Sequence, residues 1–449
     1  MKTIFITSFH PHISRNILST EAFRILRAEK RLQIVIVVPE YKSAYFREQF
    51  GGPNVMIEGV KPYQASRLFR GLFFKKLGMF LFDSRSARNL KRYQYHVNKK
   101  PLQFALGLSL GAIGRLFFIR ARVRALDYRF SPRGIFEPLL RKYHPNLIFS
   151  TDVQNENDVA LMQDARRFGV RTVGMVRSWD NLTLRILRIF PDTLLVGSET
   201  LRQELDRFHR YPRSRAVITG NPHYDGYQSS SIRQSREELC REYGLDPLKK
   251  LIVYAPISNA LIRKNDADQY ILNLLSEVRD ASILVRFPPE KGVTLDGFVP
   301  PRHMAFDRPG FVFKDKEVGD REIRPEDDER LAVMLAHADL VITGPTSICL
   351  DGIFFDKPVI AVNIYPTPRP FFDTAWRYGD LHIQKLLATG AVRYAGTKET
   401  FLGAIDDYLK NPDRDREGRA RGRALWFSHA DGHAGARMAG ELLNMLDRS

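Results

Sequence analysis

Gly344-Pro345-Thr346-Ser347 follows the apolar run Leu340–Thr343 and precedes a short helical pattern, Ser347–Phe355. Such a turn delivers backbone N–H groups and two hydroxyls to a helix start, a site suited to an anion such as a diphosphate. Glycine and hydroxyl residues also serve plain capping in any strand–turn–helix unit, so the turn alone assigns nothing. A second stretch, Phe9 to Asn16, holds His10, His12, Arg15 and Asn16. Histidine titrates near working pH, which makes His12 or His10 the natural general base; Asp152 and Asp180 are rivals. Ser178-Trp179-Asp180-Asn181 is polar, rigid and aromatic at once, which suits a binding loop better than a core. Trp179 and Asn181 therefore join Arg15 and Asn16 as cleft or acceptor candidates. Arg286 ends the β-prone run Ser282–Arg286, and Ser258 stands in the loop after Leu251–Ala255; both are candidates for the anion. Asp266-Ala267-Asp268 and Asp413-Arg414-Asp415 have Asp-x-Asp spacing. Neither directly follows a strand, so both read as helix-start or loop carboxylates, and no metal site is expected.

These residues need elements to position them, and the hydrophobic rhythm supplies two series of them. Thr3–Ser8, Gln33–Val38, Asn146–Ser150, Arg171–Val176, Thr193–Val196 and Ala216–Thr219 read as strands. Helical patterns cover about Ile17 to Lys30, Asn157–Phe168 and Thr200–Phe208. Residues 226–248 lose the strand rhythm and read as a polar linker and a helix. Leu251–Ala255, Ser282–Arg286, Leu340–Thr343 and Pro358–Asn363 then form a second series, with helices at Arg330–Ala338, 380–389 and 397–410. Residues 290–324 read as irregular and charged. The tail from His433 to Leu446 is helical, with Met438, Leu442, Met445 and Leu446 on one face. Strand–helix–strand alternation implies parallel sheets. The expected architecture is α/β: two Rossmann-like parallel-sheet domains, residues 1–222 and 223–430, facing across a cleft, with a tail, 431–449, crossing back to the first.

Charge sets one segment apart. The chain of 449 residues carries a net charge of +18. Residues 61–142 hold 19 Lys and Arg against 3 Asp and Glu, and residues 143–449 hold 42 against 43. The basic segment is also rich in large apolar residues: Leu68, Phe69, Leu72, Phe73, Phe74, Met79, Phe80, Leu81 and Phe82, then Phe117 and Phe118. Basic and apolar residues interleaved in this way suit an anionic membrane surface. Single-strand nucleic-acid binders set aromatics in a polar groove instead, so nucleic acid is not an expected partner. The uncharged run Phe104–Gly114 has 11 residues, short of the roughly 20 a spanning helix needs. The segment reads as a mostly helical insertion that lies on a membrane. Two cysteines far apart, Cys240 and Cys349, suit a reducing compartment. The expected location is cytoplasmic, peripheral on the inner face of the cell membrane.

The layout resembles the GT-B glycosyltransferases over most of the chain outside the insertion. Ala338–Ser347, continuing through Asp351 to Lys357-Pro358-Val359-Ile360, looks like the donor-site segment of that superfamily. The Asp four residues after the Ser is similar to the CDP-glycerol glycerophosphotransferase-like and capsule-polysaccharide transferase groups. Gly220-Asn221-Pro222 with Asp225, and Asp431-Gly432 with Arg437, are similar to segments of the same groups. The chain departs at Arg286-Phe287-Pro288-Pro289, where many relatives carry His-Pro. That departure counts against glycerophosphotransfer and against the epimerases that share the fold. The resemblance implies a metal-independent sugar transferase needing no cofactor beyond a nucleotide-activated donor, with Asp351 holding the ribose. Partners would be a nucleotide-sugar or CDP-activated donor, a glycan or lipid-linked acceptor and an anionic membrane. Alternatives are a CDP-polyol phosphotransferase, a nucleotide-sugar 2-epimerase, or a non-catalytic scaffold or nucleic-acid binder. Retention or inversion at the sugar stays open.

Overall fold

The computed structural model describes residues 1–64, 69–228, 232–289, 292–313 and 321–448. Leu68, counted above in the basic segment, and residues 229–231 of the expected linker lie outside them. The chain forms two compact units: Met1–Asp225 with Phe427–Ser449, and Gly226–Trp426.

The first unit opens β1 (Lys2–Thr7), α1 (Glu21–Ala28), β2 (Leu32–Pro39), α2 (Ser43–Phe50) and β3 (Val55–Val60). The basic segment supplies α3 (Phe69–Phe80), α4 (Arg85–Asn98), α5 (Pro101–Ile113) and α6 (Phe117–Phe130), followed by α7 (Glu137–Tyr143). Then come β4 (Leu147–Ser150), α8 (Glu156–Arg167), β5 (Arg171–Met175), β6 (Thr193–Val196), α9 (Glu199–Glu204) and β7 (Ala216–Ile218). Among the described residues the strand order is β3-β2-β1-β4-β5-β6-β7, and every pairing is parallel. Apolar runs such as Ile34–Val38 are buried on both faces, as a sheet covered on both sides requires. The chain winds outward from β1 to β3, then returns to place β4 on the other side of β1. The β1–β4 junction is therefore the switch point, where ligands bind beyond the strand ends.

The insertion is tied to this sheet by buried ions. Arg188, just before β6, forks onto Asp127 of α6 at 2.7 and 2.9 Å, and both are nearly inaccessible. Arg120 of α6 donates to the Phe208 carbonyl at 2.6 Å. Within the insertion, Lys91 of α4 donates to the Phe80 and Phe82 carbonyls at the end of α3. Burial pushes its ammonium down to about 8. Helix α5 approaches through Gly107 and Gly111; a Cβ on Gly111 would stand 2.8 Å from Lys91 Nζ.

The second unit runs α10 (Arg236–Glu242), β8 (Lys250–Ala255), α11 (Ala267–Ser276), β9 (Ala281–Arg286), β10 (Met304–Asp307), β11 (Phe311–Val312), β12 (Arg321–Glu322) and α12 (Pro325–His337). It continues with β13 (Leu340–Thr343), α13 (Ile348–Phe354), β14 (Val359–Val362), α14 (Leu381–Ala388), β15 (Arg393–Ala395), α15 (Lys398–Lys410) and α16 (Arg416–Trp426). Its main sheet, in the order β10-β9-β8-β13-β14-β15, is parallel throughout among the described residues, with the switch point between β8 and β13. Residues 290–324, expected to be irregular, contain β10 and the antiparallel β11–β12 pair.

The last helix, α17 (Ala434–Asp447), belongs to the first unit and packs on α1. Two motifs noted in the sequence turn out to be one clasp. Asp225 accepts the Ala434 and Gly435 amides at 3.0 and 2.7 Å, capping α17. Arg437 donates to the Thr219 carbonyl at 3.0 Å and pairs with Asp431. Gly220, at φ +81°, leaves only 2.9 Å between an added Cβ and Ala434. Two expected helices are instead broken by π turns, Ser14–Leu18 ahead of α1 and Leu205–His209 after α9.

Asp225→Ala should lower stability by about 1–2 kcal/mol through the lost cap, read as a lower thermal midpoint; an unchanged midpoint would remove the clasp. His209 is buried, accepts the Leu187 amide at Nδ1 and donates from Nε2 to the Leu182 carbonyl at 2.9 Å. Burial pushes it from 6.5 down to about 3. Its neutral form is favoured by folding, so stability is full above about pH 6.5 and falls as pH drops toward about 3. The limiting slope is about 1.4 kcal/mol per pH unit, and His209→Gln should remove that part of the acid sensitivity.

Candidate functional site

In the first unit the switch point is stapled from below. Asp158 of α8 accepts from Thr7 Oγ1 at 2.6 Å and from Ser150 Oγ at 2.8 Å, joining the ends of β1 and β4. Thr151 Oγ1 donates to the Thr7 carbonyl at 2.8 Å. Burial, then the charge of Asp152, pushes the Asp158 carboxyl up to about 7. Above this staple lie the loops that follow β1, β4, β5 and β7.

These loops bring together residues far apart in sequence. The His10 and His12 rings stack with centroids 5.0 Å apart, and the His12 amide donates to His10 Nδ1. Arg15, in the π turn, lies against both ring nitrogens of His223, which follows β7. Asp152 accepts from Arg177 Nε at 2.8 Å. Burial, and then the positive charges of His10, Arg177, Arg15 and His223, hold His12 well below the ordinary histidine value of 6.5. His12 thus favours its neutral form. Arg177 and His223 were not among the sequence candidates. Their signal was position alone, since each stands just after a strand of the same sheet. Asn16 is buried within the π turn.

The Trp179-Asp180-Asn181 cluster is placed differently from the binding loop expected. Trp179 and Asn181 are buried. The following Thr183 meets Ser86 Oγ at 3.1 Å and its carbonyl accepts from Ser84, both at the start of α4. This loop braces the insertion, and of Trp179, Asp180 and Asn181 only Asp180 keeps appreciable exposure.

In the second unit Gly344 sits hard against the loop after β8; an added Cβ would lie 2.8 Å from Ile257 Cγ1. That loop is organised by buried Asp268, which accepts the Ile257 and Ser258 amides at 2.7 and 2.9 Å and Tyr254 Oη at 2.6 Å. The grip holds Ser258 at φ +76°, a backbone region L-residues rarely adopt. Asp266 pairs with Arg369, so both carboxylates of the first Asp-x-Asp are used structurally. Asp415, in the second Asp-x-Asp, pairs with Arg393. Among the described residues no group of three or more His, Cys, Asp or Glu is arranged to hold a metal.

Three donor-site expectations need correction. Ser347 makes no side-chain cap; the capping hydroxyl is Thr346, which accepts the Ile348 amide and meets Thr343 Oγ1 at 2.9 Å. Ser347 itself is exposed. Arg286 is buried, paired with Asp307, and donates to the Asp327 carbonyl at 2.6 Å, so its charge is committed inside the fold. Asp351, expected from the resemblance to hold a ribose, is only 1 % exposed. Exposed cations on the switch-point loops are instead Arg263 and Lys264, after β8. Pro345 is buried beneath the turn.

The insertion presents an unusual surface. Eleven of the 21 exposed large apolar side chains among the described residues fall between Phe69 and Phe130. Helix α5 contains no charged residue and buries only its two glycines, leaving Leu102, Leu106, Leu108 and Ile113 exposed. Exposed Lys99, Lys100 and Arg115 flank it. Among the described residues no single helix is long and apolar enough to cross a membrane; α5 and α6 together meet that test but are bent by 106°.

No protein-family profile and no curated sequence matches the chain. Solved structures do. UDP-GlcNAc 2-epimerase from Neisseria meningitidis bound to UDP-GlcNAc matches with TM-score 0.51 and 12% identity, over 99% of this chain and 100% of the other. The glycotransferase of kitacinnamycin gives 0.53 and 13%, over 99% of each. The wall teichoic acid polymerase TagF gives 0.52 and 12%, over 100% of this chain and 90% of the other. The chain has the GT-B fold shared by glycosyltransferases and UDP-GlcNAc 2-epimerases.

The revised capping assignment is testable by chemical denaturation. Thr346→Val should cost about 1 kcal/mol, while Ser347→Ala should stay within about 0.5 kcal/mol. The reverse ranking would restore Ser347 as the cap.

Proposed function

We propose that this protein is a metal-independent glycosyltransferase that moves a sugar from a nucleotide-activated donor to a lipid-linked or growing surface-glycan acceptor, working on the cytoplasmic face of a membrane. The fold is shared with epimerases, and UDP-GlcNAc in one neighbour supports a nucleotide-sugar substrate for either reaction. The observation that favours transfer is the insertion. An epimerase acts on a soluble nucleotide sugar and gains nothing from eleven exposed apolar side chains set among cations. A transferase with a lipid-linked acceptor needs such a surface.

In this reading the first unit supplies the acceptor side and the second the donor side. The acceptor oxygen attacks the anomeric carbon as the bond from that carbon to the diphosphate oxygen breaks. His12, neutral and partly buried, takes the acceptor proton, with His10, Asp152 and Asp180 as the other candidates. Should transfer retain configuration, the base is dispensed with and the departing diphosphate assists the acceptor instead. The nucleoside diphosphate leaves with new negative charge. Turn amides and hydroxyls at Gly344–Ser347 and the loop cations Arg263 and Lys264 would stabilise it. No cofactor beyond the donor is required, and nucleic acid is not a partner. CDP-polyol transfer remains the runner-up among transferases, supported by the likeness to TagF.

Two measurements test this. Thermal shift against UDP, GDP, CDP, CMP and TDP should show one strong ligand, adding about 2.7 kcal/mol at roughly 100 times its dissociation constant. The shift should shrink in a Lys264→Ala, Arg263→Ala double variant, and no shift with any nucleotide would remove the enzyme reading. The protein should also sediment with anionic phosphatidylglycerol vesicles but not with neutral ones. Leu102→Glu with Ile113→Glu should release it while leaving nucleotide binding intact. Wild-type protein that stays in the supernatant would remove the membrane assignment.

A further inference from the structure

Within the insertion, the start of α3 and the end of α6 border an open cleft of about 700 Å³, whose lining includes Phe69, Arg70, Arg129, Phe130, Ser131 and Arg133. Its cations are all arginine, and no carboxylate lines it. Arg133 donates to the Arg129 carbonyl at 2.8 Å, and the Arg129 guanidinium lies over the Phe130 ring at 5.8 Å. Among the described residues none of the three arginines pairs with a carboxylate. The acids nearest in sequence are engaged elsewhere: Asp127 by Arg188 and Ser131, Glu137 by Arg141, and Asp164 by Arg167. Two of those acids also brace the segment that carries Arg129 and Arg133. The Ser131 amide donates to the Asp127 carbonyl at 2.8 Å, and Asp164 accepts the Gly134 and Phe136 amides, each at 3.0 Å. Beside the arginines runs an apolar track. Phe69 is 83 % exposed and stacks on Phe73, itself 48 % exposed, with ring centroids 6.4 Å apart. Aromatic rings left in water beside guanidinium groups mark a surface built to be covered.

We propose that this cleft binds one anionic phospholipid, with its phosphate on Arg70, Arg129 and Arg133 and an acyl chain along Phe69 and Phe73. The choice of a lipid rests on the membrane reading above; the anion-binding cleft does not. A guanidinium fork matches two phosphate oxygens, which an ammonium cannot do. A free phosphate would satisfy the arginines but leave the aromatic track in water, whereas a lipid covers both. The cleft thus adds recognition of a single headgroup to the general attraction between the basic insertion and an anionic bilayer.

The test is titration calorimetry of the full chain with dihexanoyl phosphatidylglycerol, held below the concentration at which it forms micelles. Binding should saturate, and dihexanoyl phosphatidylcholine, whose choline cation meets the arginines, should bind about tenfold more weakly. The triple variant Arg70→Gln, Arg129→Gln, Arg133→Gln should weaken phosphatidylglycerol binding by about tenfold or more. Lysine at the same three positions should lose less, which separates lost recognition from lost folding. Phe69→Ala with Phe73→Ala should weaken the lipid but not inorganic phosphate. Unchanged lipid affinity in the glutamine variant would overturn the proposal. So would inorganic phosphate binding as tightly as the lipid, or an oligothymidylate displacing the lipid at a lower concentration than inorganic phosphate does. Protein that binds the short-chain lipid yet stays in the supernatant with phosphatidylglycerol vesicles would support the cleft and remove the membrane reading. Sedimentation with those vesicles, but no binding of the short-chain lipid, would overturn the cleft and leave the membrane reading standing.

Discussion

A carboxyl group held between two strands sets the geometry of the first unit's switch point. Asp158 bonds to hydroxyls at the ends of both β1 and β4. These strands separate at their carboxyl ends because the chain winds away from β1 in both directions. The staple fixes how the following loops start, and the π turn at Ser14–Leu18 then aims Arg15 toward His223. Burying an acid here is costly, which is why its carboxyl is pushed up to about 7. The second unit solves the same problem in the same way. Asp268 gathers the amides after β8, and Gly344 lets the loop after β13 close against Ile257. In both units a buried carboxyl organises backbone and hydroxyl groups at the strand ends.

The insertion obeys a different constraint. Its inner side is specified by ions with directional partners: Arg188 on Asp127, Arg120 on the Phe208 carbonyl, Lys91 on two carbonyls. Such pairs contribute little net stability when buried, yet removing one partner leaves an uncompensated charge and costs about 3–5 kcal/mol. They fix orientation. With the docking surface so defined, the outer side of α5 is left apolar and the cations collect at its flanks. Self-association through that face would bring two strongly basic segments together, so an anionic bilayer fits it better than a second copy of the chain.

Much of the architecture was legible in the sequence because parallel strands buried on both faces leave short apolar runs. Leu340–Thr343 and Thr193–Val196 were read at their observed bounds. Strands whose residues are partly exposed were not; β3 carries Met56 and Glu58, and β10 lies in a charged stretch. The fate of Arg286 follows from that gap. A strand-end arginine suggests an anion site, but its partner, Asp307, sits at the end of β10, an element the sequence did not reveal. Trp179 and Asn181 read as a binding loop because their burial is not legible locally, and α4, which meets the neighbouring Thr183, comes from nearly a hundred residues earlier. Arg177 and His223 could not be tied to His12 before strand order placed β5 and β7 on the β4 side of the same sheet. Local chemistry was readable; partners supplied by sheet order were not.

Transfer at a membrane and rearrangement of a free nucleotide sugar leave different products. The most direct measurement incubates purified protein with radiolabelled sugars on UDP, GDP or CDP, with and without vesicles of bacterial lipid extract, and separates free nucleotide, nucleotide sugar and lipid-extractable label. Transfer at a membrane should move label into the lipid-extractable fraction and release nucleoside diphosphate in equal amount, both dependent on vesicles. Conversion of a UDP-sugar to its C2 epimer without vesicles, and with no nucleotide released, would contradict it.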